Sequence, residues 1–391
     1  MSRPSARVEA VQAPIIPIIG DLIRQYPGTL SLGQGVVSYG PPPEALAQLA
    51  TFHQHPGVHL YQSVQGIPPL IDAIAQKLQA ENQLPFASRD QIMVTAGGNM
   101  AFINAVLAIL DPGDEVILQT PYYFNHEMAI RLANGRPVCV PTDQRYQLQL
   151  DQIEAAITER TRAIVTVSPN NPSGAVYSAA DLQAVNQLCC DRNLYHISDE
   201  AYEYFTYDGV DHISPGRFDP DQTHTISLFT LSKAYGFASW RIGYMVIPTH
   251  LLEAIQKIQD TVLICPPVVS QYAAVGALQV GRDYCHQHLG SLAEKRALVQ
   301  KALLPVKRLV VPESSGAFYV LIQVDTDLSD RDVVEQLIRK YGVAVIPGSA
   351  FGMELGCYLR IAYGALDAAT LAAGLDRLVR GLSEILGAPT E

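Results

Sequence analysis

The segment TLSKAYGFASWRIGY, Thr230 to Tyr244, decides how this chain is read. It sets one lysine, Lys233, among small hydroxylated residues, with Arg241 eight positions on. A lysine amine is a compact charge on a flexible stem, and it loses basicity readily when desolvated or placed near other cations. Those properties suit covalent capture of an aldehyde. Thr230, Ser232 and Arg241 add two hydroxyls and a fixed cation, the groups that a phosphate requires. Taken alone, Lys233 would read as a lysine in a polar turn before a strand. Its neighbours and four further segments of the chain redirect that reading.

The 391 residues suffice for a sizeable core and two domains. Hydrophobic residues make up 48% and charged residues 17%, a soluble globular composition. No apolar run reaches the length of a membrane span, and two prolines interrupt the apolar patch near the N-terminus, so no signal peptide is expected. The N-terminal stretch reads instead as an arm packed on the protein. A net charge of −11 argues against nucleic acid as a partner. The six cysteines show neither CxxC nor zinc spacing, so no metal site is expected; their scatter suits a reducing, cytoplasmic compartment. Cys189-Cys190 reads as helix packing. His53, His55 and His59 read as a solvated loop.

From Pro68 to about Met245, helices alternate with short apolar strands. Helices are expected at Leu70 to Leu78, Asn99 to Leu110 and Asp181 to Cys190. Strands are expected at Glu115 to Leu118, Val138 to Val140, Ala163 to Val167, Leu194 to Ser198, Thr225 to Phe229 and Ile242 to Ile247. That alternation predicts an α/β fold with a mostly parallel sheet covered by helices on both faces. After about Gly281 the order becomes mixed, with strands expected at Arg308 to Val311, Ala317 to Val324, Val343 to Ile346 and Tyr358 to Ile361. Helices are expected at His286 to Leu304, Asp330 to Tyr341 and Leu366 to Ile385. The mixture predicts a smaller α+β domain. The expected division is 1–45 as arm and part of the small domain, 46–281 as the large domain, and 282–391 as the small domain, with a ligand cleft between the two.

An aldehyde that carries a phosphate is pyridoxal 5′-phosphate. The lysine segment resembles that of class I/II aminotransferases, the fold-type I group of pyridoxal-phosphate enzymes. The resemblance runs from about Ala13 to Arg377 and places the other motifs in the family's order. In VTAGGNMAF, Val94 to Phe102, a Gly97-Gly98 turn opens a helix whose amides can face an anion. The resemblance implies that Gly98 and Asn99 hold the cofactor phosphate together with Thr230, Ser232 and Arg241. Asp199, at the end of a strand, would pair with the pyridinium nitrogen and keep the ring electron-withdrawing. Tyr202 matches the tyrosine that bonds the ring oxygen, and Tyr123 the aromatic residue that stacks on the ring. Asn171, in SPNNPSG, would serve both the ring oxygen and the substrate carboxylate. Arg360, in RIAYG, would fix the α-carboxylate through its planar fork. Gly35 matches a substrate-pocket position, although its surroundings read Gly-Val-Val-Ser-Tyr where the family commonly has Gly-Glu-Pro-Asp-Phe. That form resembles the branch with aromatic and methionine aminotransferases. Tyr61 matches a tyrosine that reaches the phosphate of the neighbouring subunit, which implies a homodimer with composite sites.

The resemblance therefore implies transamination between an L-amino acid and a 2-oxo acid, with Lys233 moving the proton. A carbon–sulfur β-lyase on the same scaffold would share these motifs. A non-enzymatic cofactor-binding regulator would need a basic DNA-binding domain, which this acidic chain does not display. For the substrate side chain, Ile16, Ile18, Ile19 and the neighbourhood of Tyr39 suggest an apolar pocket. Aromatic or large aliphatic substrates, methionine included, are expected.

Overall fold

The computed structural model describes residues 3–84 and 89–387. Seven strands form the larger sheet: β1 (Ile92–Thr95), β2 (Glu115–Thr120), β3 (Arg136–Pro141), β4 (Thr161–Val167), β5 (Tyr195–Asp199), β6 (Thr225–Thr230) and β7 (Gly243–Val246). Their order is β1-β7-β6-β5-β4-β2-β3, and β7 alone runs against the rest. Residues along each strand alternate between two separate apolar clusters. Val116 and Leu118 join Phe102, Ala105 and Val106 of helix Gly98–Ile109, whereas Ile117 and Ile164 join Leu182, Val185 and Cys189 of helix Ala179–Arg192. Alternation with burial on both sides is what a helix-covered parallel sheet requires. The α/β fold read from the sequence is therefore the fold observed.

Local chemistry sets the helix ends. Ser178 caps helix Ala179–Arg192 by accepting from the Asp181 amide at 3.1 Å, and Asn193 closes it at φ 55°. Ser329 caps helix Asp330–Tyr341 in the same way, and Gly342 closes it at φ 63°. Both caps lie where the sequence pattern changes from turn residues to an apolar period.

A four-stranded antiparallel sheet follows, made of β8 (Leu309–Val310), β9 (Tyr319–Val324), β10 (Ile346–Pro347) and β11 (Cys357–Ala362) in the order β10-β11-β9-β8. One expected strand divides. Val343–Ala344 pairs in parallel with Leu30–Ser31, whereas Ile346–Pro347 joins the edge of this sheet. Pro347 has no amide to donate, and an edge position tolerates that. Arg360 lies in the middle of β11 rather than at its end, opposite Leu321. The segment after Leu30–Ser31 is tied down by Leu32, whose amide donates to Ala344 and whose carbonyl accepts from Ala362. That tie carries Gln34 and Gly35 to the cleft.

The arm is helical at Ile15–Gln25. Ile15 and Ile19, four apart, face the core; Ile18 is largely exposed. Cys189 is buried and Cys190 exposed, and all six cysteines are free. His55 stacks on Tyr272 and His59 meets Phe52 edge-on. Among the described residues no cluster of His, Cys, Asp or Glu is placed to hold a metal, and no helix is long and apolar enough to cross a membrane.

Candidate active site

Because β1, β4, β5 and β6 run the same way, their carboxyl ends share one edge of the sheet, where α/β folds place ligands. A cleft of about 500 Å³ opens there. Twelve of the thirteen residues singled out from the sequence line it: Gly35, Gly98, Asn99, Tyr123, Asn171, Asp199, Tyr202, Thr230, Ser232, Lys233, Arg241 and Arg360. Tyr61 is not among them; it is 80% exposed on its own chain.

Lys233 ends up half-buried in a four-residue helix, Leu231–Ala234, capped by the Thr230 hydroxyl. Its Nζ donates to the Gly35 carbonyl at 2.5 Å. Burial, and then the nearby Arg360 and Arg241 guanidinium groups, bring its pKa down to about 8. A large fraction of the amine is thus neutral and nucleophilic near pH 8.

One end of the cleft is built for an anion. Helix Gly98–Ile109 points its N-terminus there. Thr230 Oγ1 and Ser232 Oγ lie 2.9 Å apart, and Arg241 Nη1 approaches Ser232 Oγ at 3.5 Å. The backbone at Gly97 favours glycine, and the Arg241 guanidinium packs against it. The Gly97 φ is +83°, and a Cβ would sit 2.4 Å from Arg241 Nη2.

Asp199, another residue of the cleft wall, ends β5. Its Oδ2 lies 3.0 Å from His126 Nε2, and its Oδ1 accepts from the Ala201 amide at 3.0 Å. His126 is buried, stacks on Phe102 with centroids 3.9 Å apart and meets Tyr123 edge-on at 5.2 Å. The Tyr123 hydroxyl donates to Asn99 Oδ1 at 3.3 Å and accepts from Asn125 Nδ2 at 2.8 Å. Burial, followed by the charge of Asp199, pushes the Tyr123 phenol up to about 12.

Arg360 is 2% exposed. It donates through Nη1 to Asn171 Oδ1 at 2.9 Å and through Nη2 to the Gly33 carbonyl at 2.7 Å. Its guanidinium lies between the rings of Tyr319 and Phe351, 4.7 and 5.0 Å from their centroids. Its Nε is buried without a partner. A buried fork with a donor to spare calls for an anionic ligand, since an unsatisfied charged donor is costly.

These features fit pyridoxal phosphate: an anion cradle, an amine of lowered pKa, a carboxylate, and hydroxyl and amide donors lining one cleft. Sequence reading missed Tyr319, Gln34 and Phe124 in the wall, and His126 behind Asp199. For His126 a signal existed, since it lies one helical turn beyond Tyr123. Tyr319 offered none; strand pairing alone brings it to the cleft. The expected apolar wall also needs correction. Of the three arm isoleucines only Ile16 lines the cleft. Tyr39 turns away, giving its hydroxyl to the Lys233 carbonyl at 3.2 Å while its ring stacks on His288.

The sequence pattern of the family described as aminotransferase class I and II matches residues 27–378. The chain belongs to that family. Within it, the fold and the cofactor are those of fold type I, and the protein is a pyridoxal-phosphate-dependent aminotransferase. It is 34% identical to the aromatic aminotransferase ISS1 of Arabidopsis thaliana, over 98% of this chain and 97% of that protein. It is also 34% identical to the aspartate/prephenate aminotransferase of Thermus thermophilus, over 97% and 96%. Among solved structures, the aspartate aminotransferase of Rhizobium meliloti superposes with a TM-score of 0.91 at 32% identity, covering 98% of this chain and 99% of that one.

Proposed function

We propose that this aminotransferase acts on aromatic and large apolar L-amino acids, methionine included, with a 2-oxo acid as acceptor. One observation carries the reading. The basic side chains lining the cleft, among the described residues, are Lys233, Arg241 and Arg360. Each has a task at the cofactor or the α-carboxylate, so none is left for a side-chain carboxylate. Ile16, Val36 and Phe124 supply apolar wall instead.

In this reading the bound cofactor supplies an electron sink for the substrate α-carbon. Gly98, Asn99, Thr230, Ser232 and Arg241 bind the phosphate. Asp199, steadied by His126, holds the ring nitrogen protonated. Tyr123 stacks on the ring, Tyr202 and Asn171 bond its oxygen, and Gly35 shapes the substrate pocket. Arg360 and Asn171 orient the α-carboxylate. Lys233, once released, moves a proton from the substrate α-carbon.

A panel of amino acids, assayed with wild type and Arg360→Lys, tests both halves. Wild type should prefer phenylalanine, tyrosine, methionine or leucine over aspartate. A preference for aspartate would refute the apolar reading. Arg360→Lys loses one arm of a bidentate pair and should weaken every substrate alike, by about 1–3 kcal/mol. A loss confined to aspartate and glutamate would make Arg360 a side-chain reader.

The reading includes a homodimer, supported by the neighbours Leu60 and Tyr61, 69% and 80% exposed. Tyr61 would then reach the partner's phosphate site, and a cytoplasmic location fits the six free cysteines. Inactive Tyr61→Ala and Lys233→Ala subunits, mixed and re-associated, should recover up to about half of normal activity, because one composite site of each heterodimer escapes both lesions. No recovery despite proven subunit exchange would remove Tyr61 from the site.

A further inference from the structure

We infer that Tyr319 is a positioning residue whose hydroxyl aims the O–H of Tyr202 into the cleft. The inference rests on the reading of Tyr202 as the partner of the cofactor's ring oxygen. The two hydroxyls are 2.7 Å apart, although 117 residues separate them in sequence. Their rings meet edge-on at 5.5 Å, and both side chains are almost wholly buried.

Two phenols bring two protons but share one hydrogen bond, so one O–H is left over. Burial, the largest cause for each, holds both phenols above the ordinary tyrosine range, so neither gives up its proton at neutral pH. If Tyr319 donates, the Tyr202 oxygen accepts from it and from Asn171 Nδ2, which lies 3.5 Å away. The Tyr202 proton is then free to point into the cleft. In the opposite arrangement Tyr202 spends its proton on Tyr319 and has none to offer a ring oxygen, and the leftover proton belongs to Tyr319, whose hydroxyl has no second partner among the described residues. A ring oxygen bound in the cleft selects the first arrangement. It also makes Tyr202 a stronger donor, since a hydroxyl that accepts becomes more polarised.

The tip of Tyr319 has little room to move. A Cβ on Gly35 would come within 2.6 Å of the Tyr319 hydroxyl, and Gly35 also carries the carbonyl that holds Lys233. Above the ring lies the Arg360 guanidinium. Tyr319 thus touches the Gly35 turn, Arg360 and Tyr202 together.

Tyr319→Phe removes the hydroxyl and keeps the ring beneath Arg360. The measurement is the visible absorbance of the lysine-linked cofactor across pH, in wild type, Tyr319→Phe, Tyr202→Phe and the double variant. A donor on the ring oxygen draws electron density from it, and that oxygen shares the proton on the nitrogen of the lysine linkage. Weakening the donor lets the proton stay to higher pH. Tyr202→Phe should therefore raise the transition by about one pH unit, and Tyr319→Phe by about half as much. The double variant should match Tyr202→Phe alone, because Tyr319 acts through Tyr202. KM should stay near wild type while kcat falls several-fold. A Tyr319→Phe transition at the wild-type pH would overturn the inference, as would shifts that add in the double variant. If Tyr202→Phe shifts and Tyr319→Phe does not, only this inference fails. If Tyr202→Phe does not shift, the reading of Tyr202 fails and the inference falls with it.

Discussion

Lys233→Ala should abolish transamination while leaving the phosphate end of the site able to bind cofactor. Thr230, Ser232, Arg241 and the N-terminus of helix Gly98–Ile109 are untouched by the change. On the proposed reading, what disappears is the covalent tether and the base that moves the α-proton. Loss of a positioned acid–base group commonly costs about 10²–10⁴-fold. Turnover should sit at the far end of that range, because the same amine serves both roles. In wild type, borohydride reduction followed by peptide mapping should find a pyridoxyl group on Lys233. Its appearance on another lysine would sink the assignment. The lowered pKa adds a sign. Only the neutral amine attacks an aldehyde, so cofactor capture by the empty protein should quicken as pH rises and level off above about 8. A rate still climbing steeply beyond pH 10 would mean an unperturbed lysine.

The second large effect is expected at Asp199. Its carboxylate ends β5, held by the Ala201 amide and by His126. On the proposed reading that charge faces the ring nitrogen and keeps it protonated, which would let the ring accept electrons. Asp199→Ala should lower turnover by about two to three powers of ten, the usual cost of removing a preorganised electrostatic partner. Cofactor affinity should fall far less, since the groups proposed to hold the phosphate, Thr230, Ser232 and Arg241, are left unchanged. Near wild-type turnover in Asp199→Ala would refute the electron-sink role. His126 offers a finer check, because its loss leaves the carboxylate in place but less firmly oriented, and it should cost less than the loss of Asp199.

Much of this was legible along the chain because the signals are local. An apolar run such as Ala163 to Val167, bounded by turn residues, makes a buried strand whatever it packs against. A Gly-Gly before an apolar helix makes an anion-facing turn, and Lys233 shows its neighbours within a dozen residues. Element order, the α/β class and twelve residues that share the cleft follow from such short-range rules together with the family resemblance. Where short-range rules conflict with environment, they mislead. Ile16, Ile18 and Ile19 look alike in sequence, but helical rotation sends one to the cleft, one to solvent and one to the core.

The chain by itself marked most of the segments that become strands and helices, and set Lys233 among Thr230, Ser232 and Arg241; the burial and the Arg360 charge that lower its basicity come from the tertiary structure. Tertiary structure alone decided the pairings: Arg360 with Asn171 across 189 residues, Tyr319 with Tyr202 across 117, and His126 with Asp199. The physical reason is that hydrogen bonds and charge interactions act over a few ångströms in space. Distance along the sequence says nothing of that separation until parallel strands bring their carboxyl ends to one edge. The turn of Tyr39 away from the cleft and the exposure of Tyr61 belong to the same category. Each is set by what packs around the side chain, which no stretch of sequence contains.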